Sequence, residues 1–179
     1  EEAPTEELAD VIRKAGLSNQ KAKNIQACLR QIREKVGDYS LEPVRTMPLL
    51  EGRKWLTALA GVGPKTASIV QCFAFGLGAI PVDTHVFRVS NRLGLIGPKT
   101  DEVKAHDELL EIVPPALAFR FHVALIQHGR HTCKAPIPEC PRCNVRDLCP
   151  WFTAVGPEKL RAELSIRRKN ISVRKAVSQ

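Results

Sequence analysis

The chain has 179 residues, of which 27 are Lys or Arg and 19 are Asp or Glu, and its formal net charge is +8. This length allows one substantial hydrophobic core or two small lobes, and a hydrophobic content of 44% is typical of a folded protein. The sequence has no run of about 18 apolar residues and no secretory signal pattern, so it predicts an intracellular, cytoplasmic protein without membrane contact. The positive charge makes nucleic acid a candidate partner, although a solvated basic surface would give the same balance.

Helical periodicity begins near the N-terminus and recurs along most of the chain. Ser18 is a candidate N-cap for a long amphipathic helix, which Gly37 would end. Another helix begins near Trp55, breaks at Gly61-Val62-Gly63 and restarts at Pro64. The pattern predicts two helices joined by a tight glycine hairpin.

The second half of the chain repeats the helical pattern. Asp83 would cap a helix from residue 84 to residue 93, and Thr100 would cap the next. The apolar face of that next helix is predicted to contain Val103, His106, Leu110 and Val113. After Pro114-Pro115, a helix of about fifteen residues ends near Gly129. With no alternating strand pattern and no repeat, the predicted fold is all-α.

The stretch LAGVGPKTA, residues 59–67, places Lys65 in the first turn of a helix that follows the hairpin. Gly61 and Gly63 allow the backbone to turn sharply and to approach another molecule closely, and the helix N-terminus offers free N–H groups to a phosphate. An ordinary turn between two helices gives the same pattern, so the glycines alone decide nothing. Lys65 is unexpected here, because the positive end of the helix dipole disfavours an ammonium group and favours a neutral, nucleophilic amine.

Four cysteines lie close together in the stretch CKAPIPECPRCNVRDLC. Six, two and five residues separate Cys133, Cys140, Cys143 and Cys149. Zinc modules usually contain two C-x-x-C pairs, whereas this run contains one, and its short loops favour four thiolates around an iron–sulfur cluster. Zinc stays open as an alternative, and disulfides are disfavoured in an intracellular chain.

Together these motifs resemble the endonuclease III family of base-excision repair glycosylases, within the helix-hairpin-helix superfamily. LAGVGPKTA is similar to the family's hairpin and lysine, PVDTHVFRVSNRLGL to its aspartate segment, and the cysteine run to its [4Fe-4S] loop. Eighteen positions separate Lys65 from Asp83, which is the interval the family shows between its nucleophile and its acid. The resemblance extends from about Gly16 to Pro150, with Ala60 standing where the family commonly has proline.

The resemblance implies a helical barrel lobe over residues 1–77 and a cluster-bearing lobe with a basic C-terminal tail over residues 78–179. The first lobe would be partial, because family members generally carry several helices before the point where this chain begins. The active site is expected in the cleft between the lobes, with Lys65 as nucleophile and Asp83 as acid. The [4Fe-4S] ligands would be Cys133, Cys140, Cys143 and Cys149.

The activity that the resemblance implies is removal of oxidised pyrimidines from duplex DNA, followed by cleavage 3′ to the abasic site. Double-stranded DNA with damaged bases or abasic sites would be the partner of a monomeric protein. The predicted DNA contacts are Gly61, Val62, Gly63, His85 and Lys134. His85 also fits a purely structural role.

Two other functions fit parts of the sequence. A glycosylase without lyase activity is known in the superfamily's adenine-mismatch branch, but that branch lacks the lysine found here at position 65. A DNA-binding module without enzymatic activity would need only the hairpin, and the pair Lys65 and Asp83 argues against it.

Overall fold

The computed structural model describes residues 1–156, 158–159, 161–162 and 165. Throughout these residues the secondary structure is helical and contains no strand, which confirms the predicted all-α fold. The basic tail expected from residue 159 to residue 175 lies largely outside the described residues.

The α-helices within the described residues vary from five to 19 residues in length. In chain order they are α1 Thr5–Val11, α2 Ser18–Val36, α3 Glu42–Thr46, α4 Leu49–Thr57, α5 Pro64–Ile69, α6 Thr84–Arg92, α7 Glu102–Ile112, α8 Ala118–His131 and α9 Pro150–Ala154. A π-helical turn, Val70–Ala74, continues α5. Short 3₁₀ turns at Cys140–Arg142 and Arg146–Leu148 lie in the cysteine loop.

The helices fall into two compact units. The first unit contains Glu1–Pro81 and Val113–Phe119, and the second contains Val82–Ile112 and the chain from Arg120 onward. Lys65 therefore belongs to the first unit, whereas Asp83 and the four cysteines belong to the second. The lobe boundary expected between residues 77 and 78 stays a prediction.

The core of the first unit forms between α2, α3, α4 and α5. Its buried members are Ile32, Val44, Leu56, Leu59 and Ala67. Cys28 packs against this cluster and Cys72 is buried, so both behave as small core residues. Burial raises the pKa of both thiols and keeps them neutral.

The start of α2 differs from the sequence prediction. Ser18 is the first residue of the helix and not its N-cap, because Leu17 occupies the capping position with φ 52° and ψ 36°. Leu17 is 82% exposed and is the only non-glycine residue with a positive φ in the described part of the chain. A large exposed apolar side chain therefore stands at a strained backbone position. The other end of α2 is as predicted, since Gly37 ends it with φ 89°.

Side chains of α2 hold the glycine hairpin between α4 and α5. Gln31 Oε1 accepts a hydrogen bond of 2.7 Å from the amide of Ala60. A proline at position 60 would have no N–H to donate and could not form this bond. In this chain the bond to Gln31 therefore restrains the turn in place of the rigid ring of a proline. Asn24 lies so close to Gly61 that a Cβ there would be 2.7 Å from its Nδ2.

In the second unit, the N-cap of α7 lies one residue later than predicted. Asp101 Oδ1 accepts a hydrogen bond from the amide of Lys104, whereas the hydroxyl of Thr100 donates to Glu108. The predicted face of α7 is also partly wrong. Val103 is 60% exposed, and the residues that α7 buries are Ala105, His106 and Leu109.

In the described part of the chain, no single helix has the length and apolar content needed to cross a membrane. The segments Glu102–Ile112 and Pro115–His131 meet these criteria only when taken together across a sharp bend.

The two hairpin glycines should respond differently to the same substitution. Gly61 has φ 73° and no room for a Cβ, whereas Gly63 has φ −92° in extended backbone and nothing within 4 Å of its Cβ direction. We expect Gly61→Ser to lower the free energy of unfolding by more than about 1 kcal/mol. Gly63→Ser should change it by less than about 0.5 kcal/mol, because serine is a good N-cap for α5. Urea denaturation measures both, and equal losses would contradict this account of the hairpin.

Candidate active site and cysteine pocket

Lys65 lies in the first turn of α5 and is exposed to solvent. Its side chain makes no hydrogen bond or ion pair within the described residues. The amides of Gly63, Lys65 and Thr66 also have no acceptor within the described residues, and the first helical bond runs from the Ala67 amide to Gly63 O. An exposed amine thus stands beside a helix end that has free donors.

Three hairpin residues were predicted as DNA contacts, and the structure gives them different environments. Gly61 is required by the fold, as shown above. The amide of Val62 donates to Leu59 O over 3.1 Å, and its side chain packs against the core. Both the amide and the side chain of Val62 therefore already have partners inside the protein. Gly63 is exposed, and no neighbouring atom occupies the space that its Cβ would take. That space is open to a molecule from outside.

Asp83 is the N-cap of α6, as the sequence predicts. Its Oδ1 accepts hydrogen bonds from the amides of His85 (2.9 Å) and Val86 (2.8 Å). Oδ2 makes no hydrogen bond within the described residues, and the side chain is only partly buried. One oxygen of the carboxylate therefore fixes the helix, and the other remains available for chemistry.

His85 packs closely against α8. A Cβ at Gly129 would lie 2.9 Å from His85 Cβ, so only glycine permits this approach. The Nδ1 atom of His85 lies 3.2 Å from Arg88 Nη2. Because arginine can only donate, Nδ1 is the acceptor, and a neutral His85 carries its proton on Nε2. His85 therefore has a structural partner, and its predicted contact with DNA stays a prediction.

Two arginines of α6 hold the cysteine loop. Arg88 donates from Nε to Cys133 O (3.0 Å) and from Nη2 to Gly129 O (2.8 Å). Arg92 donates from Nη1 to Cys133 Sγ (3.3 Å) and to Lys134 O (2.9 Å). Its guanidinium also lies 4.7 Å from the ring centroid of Trp151. The helix that begins at Asp83 therefore also fixes the loop that carries the cysteines.

The four cysteines of the predicted ligand set line one pocket, together with Arg92 and His128. Burial raises the pKa of Cys140, and the neighbouring thiols of Cys133, Cys143 and Cys149 raise it further. In their present positions, however, no three His, Cys, Asp or Glu side chains among the described residues form a group that could hold a metal ion. The pocket brings the donors together without forming a closed coordination shell.

Three further histidines, His122, His128 and His131, lie on α8. His122 is buried, at 4% exposed, whereas His131 is exposed at the surface. His128 does more than pack, because its Nε2 lies 3.7 Å from Cys143 Sγ on the wall of the pocket. Burial lowers the pKa of His128, which favours the neutral ring there.

Lys134, predicted to contact DNA, is bonded to a carboxylate of its own loop. Its Nζ lies 2.5 Å from Glu139 Oε1, and Arg142 Nη1 lies 3.1 Å from Glu139 Oε2. The hydrogen bond from Lys134 is the main reason that the pKa of Glu139 is lowered. All three side chains are partly exposed at the surface of the loop.

Sequence reasoning missed Arg88, Arg92 and Glu139. A signal for the arginines was present, because they lie four residues apart on a helix whose buried positions include Val86 and Val89. Their acceptors, however, are groups about 41 to 45 residues later in the chain, which no local pattern identifies.

Known proteins are similar to this chain over a region that includes both the glycine hairpin and the cysteine loop. Endonuclease III of Haemophilus influenzae is 42% identical over 144 residues, which cover 80% of this chain and 64% of that protein. The chain therefore spans about two thirds of the length of this relative. Endonuclease III of Escherichia coli K12 is 38% identical over 151 residues, covering 84% of this chain and 66% of that protein.

Solved structures give the same picture. A non-covalent endonuclease III–DNA complex is similar to this fold with a TM-score of 0.71 and 37% identity, over 89% of this chain and 68% of that one. The model of the HhH-GPD superfamily, described as a base excision DNA repair protein, matches residues 1–115. These matches confirm the resemblance that the hairpin, the aspartate segment and the cysteine run indicated. The chain belongs to the HhH-GPD superfamily of base excision DNA repair proteins.

Proposed function

We propose that this chain is a DNA glycosylase and abasic-site lyase that removes oxidised pyrimidines from duplex DNA. The observation that carries the proposal is the position of Lys65, whose amine is exposed in the first turn of α5 and unpaired within the described residues. A similar structure, with a TM-score of 0.71, is described as a trapped endonuclease III–DNA covalent intermediate. A covalent step requires a nucleophile, and Lys65 is the residue that this sequence offers at the hairpin.

The proposed chemistry begins at the amine of Lys65. The neutral amine attacks the sugar C1′, and the glycosidic bond breaks as the base leaves with a proton. The nitrogen then loses a proton as the C1′–O4′ bond of the sugar ring opens, which gives an imine that acidifies the C2′ position. Loss of a C2′ proton then expels the 3′ phosphate, which breaks the strand by β-elimination. Water finally hydrolyses the imine and restores Lys65.

Asp83 supports this chemistry through the oxygen that the helix does not use. Base loss develops positive charge on the sugar, and a fixed carboxylate stabilises that charge. The same group is able to move protons as the base departs. Because Oδ1 is held by the amides of His85 and Val86, the orientation of the carboxylate is set before substrate arrives.

The hairpin supplies contacts that do not depend on DNA sequence. The free amides at the start of α5 suit a phosphate oxygen, and the open space at Gly63 lets the backbone come close to it. Such contacts position the protein along the duplex, where the damaged nucleotide must rotate out of the stack.

Leu17 would insert into the space that a rotated nucleotide leaves behind. It combines an exposed apolar side chain with a left-handed backbone conformation at the N-terminal end of α2, the helix that holds the hairpin. Strain of this kind is often kept at residues that contact another molecule, and leucine is among the side chains inserted between bases.

The cysteine pocket fits an iron–sulfur cluster by its donor set. Cys133, Cys140, Cys143 and Cys149 are four thiols around one pocket, and Arg92 donates a hydrogen bond to the sulfur of Cys133. These four residues would hold a [4Fe-4S] cluster, which would order the loop and take no part in base removal. A zinc ion on the same residues is the alternative.

Lys65→Gln should separate binding from chemistry. The variant lacks the only amine proposed to form the imine, so borohydride trapping to an abasic duplex and strand cleavage should fall to background. Binding to an uncleavable lesion analogue should stay within about threefold of the parent, because the backbone contacts of the hairpin remain. Lys99→Gln, at another exposed lysine, is the matched control and should trap normally. Trapping of Lys65→Gln at the parent level would place the nucleophile elsewhere.

Asp83→Asn should slow base release without disturbing the fold. Asparagine caps a helix as well as aspartate does, but it lacks the charge that stabilises the developing cation. Release of a damaged base, measured in single-turnover reactions, should slow by about 100-fold or more. On a preformed abasic site the variant skips base loss and should still be trapped through Lys65. Asp83→Ala removes both the charge and the helix cap. Of the two variants, only Asp83→Ala should therefore lose about 1 kcal/mol in the free energy of unfolding in addition to its activity.

The metal content of the purified protein tests the cysteine assignment. Protein prepared without oxygen should be yellow-brown and contain about four irons and four sulfides per chain, as a cubane cluster requires. Elemental analysis and acid-labile sulfide assays measure both. One zinc per chain without sulfide would contradict the cluster and leave the rest of the proposal standing.

A further inference from the structure

The surface of the cysteine loop contains one carboxylate between two cations. Glu139 uses both of its oxygens, Oε1 for Lys134 Nζ and Oε2 for Arg142 Nη1. The side chain of Glu139 is 36% exposed, and those of Lys134 and Arg142 are 46% and 70% exposed. The three groups therefore lie where a polyanion in solution has access to them.

The backbone holds these three residues in place. The amides of Lys134 and Glu139 both donate to Thr132 O, over 2.9 and 2.8 Å, and the amide of Arg142 donates to Glu139 O over 3.2 Å. The carboxylate is thus anchored beside its two partners by the path of the loop. Only side-chain rotation is needed to separate them.

We propose that Glu139 lowers the DNA affinity of the cysteine loop, because its carboxylate competes with phosphate for Lys134 and Arg142. The inference rests on the proposed function, in that it takes duplex DNA as the partner. It goes further by identifying a residue that opposes DNA binding within a basic protein.

The effect of Glu139 depends on competition with phosphate for the two cations and not on the strength of its ion pairs. Exposed ion pairs contribute little to stability, so displacing Glu139 costs little when phosphate takes its place. Displacement nevertheless leaves an uncompensated carboxylate beside the DNA backbone, which repels it. In addition, a cation that is already neutralised releases fewer counterions from DNA when it binds. Both effects weaken the contribution of the cysteine loop to DNA affinity.

Glu139→Gln tests this directly, because glutamine has the same shape and no charge. The affinity of the full chain for an undamaged duplex is measured by fluorescence anisotropy between 50 and 200 mM salt. Each further phosphate that the loop neutralises should steepen the slope of log K against log salt by about 0.9. The advantage of Glu139→Gln over the parent should therefore be greater at 50 mM than at 200 mM salt, by about 3.5-fold for one phosphate and about 12-fold for two.

Asp10→Asn is the matched control. Asp10 forms an ion pair with Arg13, which follows α1, and both side chains are 75% exposed, so the substitution makes the same change in net charge at a residue outside the cysteine loop. It should leave the salt slope unchanged. Lys134→Gln completes the comparison, since it should weaken binding more in the Glu139→Gln background than in the parent.

The outcomes distinguish the inference from the proposed function. If the parent binds duplex DNA and Glu139→Gln has the same affinity and slope, or binds more weakly, Glu139 does not restrain the loop and the inference is wrong. An equal gain from Asp10→Asn would also overturn it, because overall charge would then explain the effect. If the parent itself binds no duplex DNA, the proposed function fails. Thermal unfolding confirms that each variant is folded. If Glu139→Gln does not fold, Glu139→Asp replaces it. The aspartate side chain is too short to hold both cations, so this variant should show an intermediate gain in DNA affinity.

Discussion

The two hydrogen bonds that Asp83 Oδ1 accepts from the amides of His85 and Val86 fix the start of α6, and much of the second unit depends on that helix. Five and nine residues after Asp83, Arg88 and Arg92 donate to the carbonyl groups and the sulfur at the start of the cysteine loop. The candidate acid and the loop are therefore attached to one rigid element. A displacement of α6 would move both together, so we expect a change in the position of the loop to reach Asp83 through this helix.

In the first unit, the two glycines of the hairpin have different surroundings. Gly61 is glycine because of φ 73° and the contact with Asn24, so its identity is fixed by the protein itself. Gly63 has neither constraint, and the open space beside it has meaning only for a molecule outside the chain. Gln31 then holds the turn by its bond to the Ala60 amide, which a proline at that position would not permit. Through Gln31 and Asn24, α2 therefore fixes the turn that precedes Lys65.

The features predicted correctly from sequence depend on short-range physics. The hairpin, the cap at Asp83 and the convergence of the cysteines follow from conformational and capping preferences within about 17 residues. The errors lie where tertiary packing decides. Thr100 was expected to cap α7, but its hydroxyl is bonded to Glu108, which leaves that role to Asp101. Arg88 and Arg92 were missed because their acceptors come from a distant part of the chain, and periodicity carries no information about those partners.

The distribution of charge shows why the net charge of this protein is a poor measure of how many cations are free to bind an anion. Arg88 and Arg92 contribute to the formal +8, yet the guanidinium groups of both donate hydrogen bonds to the cysteine loop. Lys134 and Arg142 contribute as well, and both are bonded to Glu139. A cation that already has a hydrogen-bonded partner gains less from a phosphate than one that water alone surrounds. The free donors at the start of α5 carry no formal charge, but they belong to a fixed backbone and need no displacement. The number of basic residues in the sequence therefore overstates the number of cations that are unpaired and ready to bind an anion, whereas the backbone donors at the hairpin are not counted in it at all.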